Sequence, residues 1–432
     1  MNPASGSPWG VRDFRTLFAA SALSHLGTNV GYVAIPLLAV TVLDAGPGQA
    51  GVLAALSTAA FLLIGLPAGA WVDRLPPRRV LVAADAARAV LLASVPVAWW
   101  LDALSLPQLY AVVLLNGCAT VFFDVGSQTV LPELVGRDRL VPANTAVVGL
   151  MAGANIAGRG AGGFLVQLAT APLAVAGGAV AYLASAAGLT GIGRRRRAPA
   201  PTAARRRLRA EIGEGLRHVL GSRELRALAL TGALGNLGAH LVNVMLPVLF
   251  TRELGLPAGA LGLYWAIGGL GLLSGAACAR RLAARLGYGR ALARAGLWCA
   301  PAALAVGLVG DGPWFWVACA GWLTVTAKTG LDNVLGVTLR QHLTPDPLLG
   351  RMNATFRFLL TGALAVGAAL AGVIGELAGV RVAVWTGAVC MACAFLPVFS
   401  SPLRTLRQLP EAPAPPRPPA SAEGSPATGK RP

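Results

Sequence analysis

The chain has 432 residues, 55% of them hydrophobic and 12% charged, with a mean hydropathy of +0.63 and a formal net charge of +18. A core of ordinary surface-to-volume ratio cannot hide that much apolar surface from water. This excludes a soluble globular domain and directs the chain to a bilayer.

A helix crosses about 30 Å of hydrocarbon in roughly 18 or more apolar residues. Twelve runs near or above that length are predicted. The leader 1–13, "MNPASGSPWGVRD", is too polar and too short for a cleavable signal, so the first run is expected to stay as an anchor. The first six runs extend over 14–43, 49–72, 80–104, 107–131, 144–168 and 171–193. A basic linker, 194–225, interrupts them, and the remaining six follow at 226–250, 258–283, 291–309, 313–340, 355–377 and 382–400. The tail 401–432, rich in Pro and Ala, cannot bury enough surface to order most of its length.

Every backbone group in hydrocarbon must find its partner inside the protein, and the runs lack the two-residue alternation of a barrel. The predicted fold class is an all-α membrane protein of 12 transmembrane helices. Its two six-helix bundles are expected at 14–193 and 226–400. Threading the runs in order puts the arginine-rich segments on one side, among them Arg78, Arg79, Arg137, Arg139, Arg285, Arg290, Arg340, Arg351 and Arg404. The other side receives only Arg252 and Arg381. That bias fixes both termini in the cytoplasm. The positive charge is thus topological, no nucleic-acid partner is expected, and the Arg194 to Arg197 run suits anionic lipid headgroups.

All six cysteines fall inside apolar runs without neighbouring histidines, so they read as inert thiols and no metal site is expected. Neither of the two lysines occurs in a Gly-Lys-Ser/Thr sequence, which excludes nucleotide hydrolysis through a P-loop.

The two halves echo each other. A shift of 211 residues lays Pro36 on Pro247, Gly51 on Gly262, Arg74 on Arg285 and Arg79 on Arg290. It also lays His25 on Asn236 and Asn29 on His240, each pair four residues apart and therefore on one helix face. Such a repeat is expected of a transporter with its site near the membrane midplane. Polar groups in hydrocarbon must pair or face water. His25, Asn29, Asn236, His240 and Asn243 are therefore either interhelical hydrogen-bonding groups or the lining of a substrate cavity.

The loop after the second run reads "GAWVDRLPPRRVL". Its prolines stop helices, and its arginines can bind a carboxylate or helix-end carbonyls of the opposite bundle. Gly69, Asp73, Arg74, Arg78 and Arg79 resemble the loop signature of the major facilitator superfamily; Pro76 and Trp71 depart from it. The second-half copy, "RRLAARLGYGR", keeps Arg285 and Arg290 but has Ala284 at the acidic position. The segments "FDVGSQTVLPELVGRDRLVPANTAV" and "LRQHLTPDPLLGRMNATFRF" are similar to bacterial exporters of the enterobactin and macrolide-efflux branch. The resemblance implies alternating access, with the loop as a gate or as a solvated turn that enforces topology. Asp85 and Arg88 read as a helix-end pair beside that loop, with gating as the alternative, and Asp124 as a latch for its arginines.

Superfamily exporters often carry G-x-x-x-G-P in the fifth helix, where this chain has "GANIAGRGAGG" with Arg159 in place of proline. Arginine near the membrane centre costs at least about 2.5–3.5 kcal/mol, so Arg159 must meet water, an acid or an anionic ligand. Lys328 and Asp332, four apart in the tenth run, suit either a structural ion pair or a proton-coupling relay.

The expectation is a secondary active exporter of an amphipathic small molecule such as a drug, siderophore or secondary metabolite, by proton antiport. It is expected to be a monomer in a bacterial inner membrane, with no cofactor and no catalytic residues. An importer, an intramembrane enzyme using His25, His240 and Asp332, and a non-transporting sensor are the alternatives.

Overall fold

The computed structural model describes residues 7–72, 75–193 and 208–408. Asp73 and Arg74 of the loop signature, the linker stretch 194–207 and the tail from 409 onward lie outside the described residues. The helices of the first half are α1 Arg12–Thr41, α2 Pro47–Val72, α3 Pro77–Trp100, α4 Leu106–Val135, α5 Leu140–Leu168 and α6 Ala171–Leu189. After α7, Leu208–Gly221, come α8 Arg223–Val248, α9 Ala258–Leu286, α10 Tyr288–Gly307, α11 Pro313–His342, α12 Leu349–Ala378, α13 Val380–Cys393 and the single turn α14 Leu396–Phe399.

Among the described residues, nine helices are long and apolar enough to cross a membrane. The long helices α10 and α11 fall short of that measure. Their sequences supply the reason: α10 begins with Arg290 and Arg294, and α11 holds Lys328, Asp332 and Arg340. Large apolar side chains stay on the outside of the protein, Leu377 at 82% and Trp100 at 80% exposed. Lipid suits such a surface and water does not. The chain is a predominantly helical, multi-pass membrane protein.

In the first half α1 packs on α5 and α6, α3 on α4 and α6, and α2 on α4. Seven elements later the same pattern recurs: α8 packs on α12 and α13, α10 on α11 and α13, and α9 on α11. Proline interrupts α1 at Pro36 and α8 at Pro247, and α8 continues into a π turn, Leu249–Glu253. The sequence echo thus has a counterpart in the packing.

Between the halves α1 and α2 touch α8, and the two most extensive contacts are α2 with α12 and α5 with α9. Both rest on glycine. A Cβ on Gly51 would stand 2.4 Å from the Gly372 Cα, and one on Gly163 would stand 2.7 Å from the Gly262 Cα, so no side chain fits at either crossing. Polar contacts reinforce the same end of the protein. Arg252 pairs with Asp44 at 2.6 Å, the Gly48 N–H donates to Glu376 Oε2 at 3.0 Å, and the Gly259 N–H donates to Gln167 Oε1 at 3.1 Å. This seam lies on the face opposite Arg78, Arg290 and Arg351.

Part of the predicted linker is helical. In α7, Leu216, Val219 and Leu220 share one apolar face, and Val219 is fully buried. Glu214 accepts a hydrogen bond from Arg351 at 2.6 Å, which ties α7 to α12. The packed structure also runs past residue 400, where the tail was expected to begin. Leu403 is buried, and the backbone N–H groups of Tyr288 and Gly289 donate to the carbonyls of Arg407 and Leu406 at 3.3 and 3.2 Å.

Candidate functional site

A fully buried charge cluster occupies the first half. Arg88 Nη1 donates to Asp85 Oδ1 and Ser24 Oγ, both at 2.9 Å, and Nη2 donates to Thr28 Oγ1 at 2.5 Å and Tyr182 OH at 2.6 Å. Ser24 Oγ donates to Asp85 Oδ1 at 3.0 Å, and Tyr182 OH to Thr28 Oγ1 at 3.1 Å. Asp85 and Arg88 are 0% and 1% exposed. They are not at the loop, as the three-residue spacing near the start of the third run suggested. Their side chains project from α3 into the space between α1, α4 and α6, where the hydroxyls of α1 and α6 supply the partners that water supplies elsewhere.

Thr28 and Tyr182 also line a cavity of about 300 Å³, so this cluster backs its wall. Tyr32, Phe61, Asn116 and Asp124 contribute from the first half, and His240, Asn243 and Trp265 from the second. A second cavity, about 290 Å³, opens between α5, α8, α9 and α11. Its polar lining includes Asn155, Arg159, Thr231, Asn236, Lys328 and Asp332. Trp265 lines both cavities.

The partition between them is a chain of side chains from both halves. The Arg159 guanidinium lies 4.2 Å from the centre of the Tyr32 ring, which meets Trp265 edge-on at 5.3 Å. Trp265 Nε1 donates to Asn243 Oδ1 at 2.6 Å, and Asn243 Nδ2 in turn donates to the Ala239 carbonyl at 2.6 Å. A cation held on an aromatic face gains about 0.5–2 kcal/mol, the more so where water is excluded.

In the second cavity Lys328 Nζ pairs with Asp332 Oδ2 at 2.5 Å, the two side chains 13% and 26% exposed. Asp332 also lines a smaller hollow of about 70 Å³ with Asn333, Gly336 and Arg340. Arg340 stacks 4.7 Å over the Phe356 ring, so basic groups lead from Asp332 toward the arginine-rich face.

The remaining predicted positions divide. Asn236 donates to the Leu360 carbonyl at 3.2 Å and lines the second cavity; His240 lines the first, its Nε2 buried and without a partner among the described residues. Their first-half counterparts pack elsewhere. Asn29 Nδ2 donates to the His25 carbonyl at 2.9 Å, and His25 meets Phe123 edge-on at 6.2 Å. Gly158 accommodates the Asn29 side chain, since a Cβ there would stand 2.6 Å from the Asn29 Cβ. In the loop, Arg79 is exposed. Arg78 Nε donates to the Leu189 carbonyl at 3.2 Å and its Nη2 to the Thr190 carbonyl. It thus caps the C-terminal end of α6 in its own half, not a helix of the opposite one. Gly69 belongs to the last turns of α2.

Sequence reasoning missed Arg357 of α12. Its guanidinium lies 4.3 Å from the Phe61 ring of α2, and it shares with Arg88 the electrostatic surroundings of Asp124. Its charge within "NATFRFLL" was the available signal. Tyr32, Trp265 and Trp322 were missed because aromatic residues within apolar runs do not stand out.

Paired polytopic halves, enclosed cavities and membrane-embedded charges define the architectural class of a multi-pass α-helical protein with a central chamber. Residues 4–425 match the family described as transmembrane secretion effector, and the chain belongs to that family, within the major facilitator superfamily. The enterobactin exporter EntS of Shigella dysenteriae serotype 1 (strain Sd197) is 29% identical over 289 residues, 63% of this chain and 65% of that protein. EntS of Salmonella choleraesuis (strain SC-B67) is 29% identical over 283 residues, with 63% and 65% covered. The chain therefore spans about 65% of the length of these curated relatives. Among solved structures, a bacterial homologue of the iron transporter ferroportin superposes with a TM-score of 0.71 in its inward-facing state and 0.58 in its outward-facing state, 17% identical in each case. These cover 90% of this chain and 99% and 98% of those chains. The nucleoside transporter NupG gives 0.70 at 12% identity, covering 90% of this chain and 99% of its own. The fold is shared across all of them.

Proposed function

We propose that this chain is a secondary active exporter that carries an amphipathic small molecule out of the cytoplasm in exchange for protons. The observation that carries this reading is the pair of cavities enclosed between helices of both halves, one lined by Asp124 and the other by Arg159, Lys328 and Asp332. Twelve spanning helices in two pseudo-symmetric six-helix bundles, α1 to α6 and α8 to α13, are the architecture that fits the recurring packing pattern. Rocking of these bundles exposes the cavities to one face at a time. Both termini are assigned to the cytoplasm from the arginine bias. The glycine seam then closes the outer face, an inward-open state that the higher TM-score with the inward-facing ferroportin homologue supports.

Asp332 is the group proposed to exchange protons, with Lys328 as its partner in the deprotonated state. Each proton moved down a 100 mV potential supplies about 2.3 kcal/mol. The Gly69 to Arg79 loop and Asp124 are assigned to the cytoplasmic gate. No catalytic residue, cofactor or nucleic-acid partner enters this reading, and a monomer suffices for it. The enterobactin exporters among the relatives support the outward direction.

The test is uptake of a panel of amphipathic fluorescent compounds into inside-out membrane vesicles carrying the protein, energised by an inward-acidic pH gradient. Accumulation of at least one compound, abolished by a protonophore, is the expected result. Loss of preloaded compound from the same vesicles under the gradient would assign an importer instead.

A further inference from the structure

We infer that the second cavity is a binding site for an amphipathic organic anion, with Arg159, Lys328 and Trp322 as its recognition groups. The inference rests on the exporter reading only in identifying this cavity as part of the transport path.

The first argument is charge. Arg159 and Lys328 are the cationic side chains of the lining and Asp332 the acidic one. Asp332 is already taken by Lys328 at 2.5 Å. Arg159 rests on the Tyr32 ring, a partner that leaves its charge uncompensated. The cavity therefore holds one positive charge in excess, which attracts an anion strongly where water is scarce and repels a cation by the same amount.

The second argument is hydrogen bonding, and it is independent of charge. Among the described residues, three buried polar atoms of the lining find no hydrogen-bond partner: Arg159 Nε, Trp322 Nε1 and Thr231 Oγ1. Two of these can only donate, and the hydroxyl can donate or accept. Lys328 has spent one of its three donors on Asp332. An unmet buried donor costs about 1–3 kcal/mol. Several in one cavity specify a ligand rich in acceptors, the hydrogen-bonding character of a carboxylate, sulfonate or phenolate.

The third argument is shape. Leu272, Leu360 and Met391 supply apolar wall, and Gly235 leaves an opening in it, since nothing stands within 4 Å of a Cβ built there. A molecule that is acceptor-rich at one end and apolar over the rest matches all three features.

The experiment is isothermal titration calorimetry on the purified full chain in detergent with three ligands of one shape: 2-naphthoate, neutral 2-naphthalenemethanol and cationic 2-naphthylmethylammonium. The expected result is a Kd for 2-naphthoate at least tenfold lower than for the alcohol, with no detectable binding of the ammonium. Arg159→Gln is expected to raise the naphthoate Kd at least tenfold and to leave the Kd of the alcohol within a factor of three. Gly235→Leu, which fills the opening without altering charge, is expected to weaken both. Should Arg159→Gln not fold, Trp322→Phe removes one donor while keeping an aromatic ring and is expected to weaken naphthoate binding alone. Equal affinity for the three ligands, tightest binding of the ammonium, or a naphthoate Kd unmoved by both Arg159→Gln and Trp322→Phe overturns the inference. Vesicle flux of cationic compounds with no naphthoate binding overturns it while leaving export intact. Naphthoate binding as described, without flux of any compound, upholds the site and removes the exporter reading.

Discussion

Arg159 of α5 lies on the face of Tyr32 of α1, guanidinium carbon to ring centre 4.2 Å, and that ring in turn abuts Trp265 of α9. One aromatic side chain thus connects a membrane-embedded cation to the opposite half of the protein. Tyr32→Phe keeps the ring and is expected to retain at least half of wild-type flux in inside-out vesicles. Tyr32→Leu removes about 0.5–2 kcal/mol of cation–π attraction and is expected to lower flux several-fold. Equal activity of the two variants would show that the ring has no role beyond filling space.

Lys328 and Asp332 form a pair whose separate removal leaves a charge stranded in low dielectric. Breaking such a buried pair costs about 3–5 kcal/mol, an upper figure here because both side chains keep some exposure. Lys328→Met and Asp332→Asn are each expected to lower the melting temperature in detergent, and the double variant to recover much of the loss. Asp332→Asn has a second expected effect: residual flux loses its dependence on the pH gradient. Gradient-driven accumulation at the wild-type level in this variant would assign coupling to another group.

The Arg88 cluster is enclosed more completely, and it backs a cavity wall through Thr28 and Tyr182. Arg88→Met leaves Asp85 buried without its cation and is expected to be the most destabilising single change proposed here, by about 3–5 kcal/mol. Tyr182→Phe deletes one hydrogen bond to a charged group, worth about 1.5–3 kcal/mol, and keeps the ring. Thermal unfolding should rank the two in that order.

The glycine crossings predict a conformational lock. Beside the Gly51–Gly372 crossing, a Cβ on Gly48 would stand 3.8 Å from the Glu376 Cβ, a disulfide spacing, so oxidation of Gly48→Cys with Glu376→Cys is expected to crosslink α2 to α12 and arrest flux, with reduction restoring it. Gly163→Leu has no such remedy. Its side chain would collide with the Gly262 backbone, so the variant is expected to open the seam and increase maleimide labelling of Gly48→Cys from the face on which the seam lies. Unchanged labelling would show that the crossing yields without opening.

The helices were legible because hydrocarbon leaves a chain few other ways to satisfy its backbone; α2 and α6 begin within two residues of their predicted starts. The repeat was legible through Pro36 and Pro247, which interrupt corresponding helices. Neighbour identity was harder to read. A three-residue spacing put Asp85 and Arg88 on one face of α3, but nothing in that spacing named the hydroxyls of Ser24, Thr28 and Tyr182 that draw them inward. The same limit applies to Arg78, whose role as a cap depends on where α6 happens to end. Helix α7 was overlooked because its apolar stripe is short and follows a dense run of arginines.

The two long helices with too little apolarity, α10 and α11, have a bearing on how the protein is made. Apolar segments can partition into the bilayer one at a time, whereas α10 and α11, burdened by Arg290, Arg294, Lys328 and Asp332, need company to enter. The pair α10 and α11 is consecutive and mutually packed, which suits entry as a hairpin together with α9. Insertion is therefore expected to be cooperative, and truncation after α10, which removes its hairpin partner α11, should leave α10 partly outside the membrane.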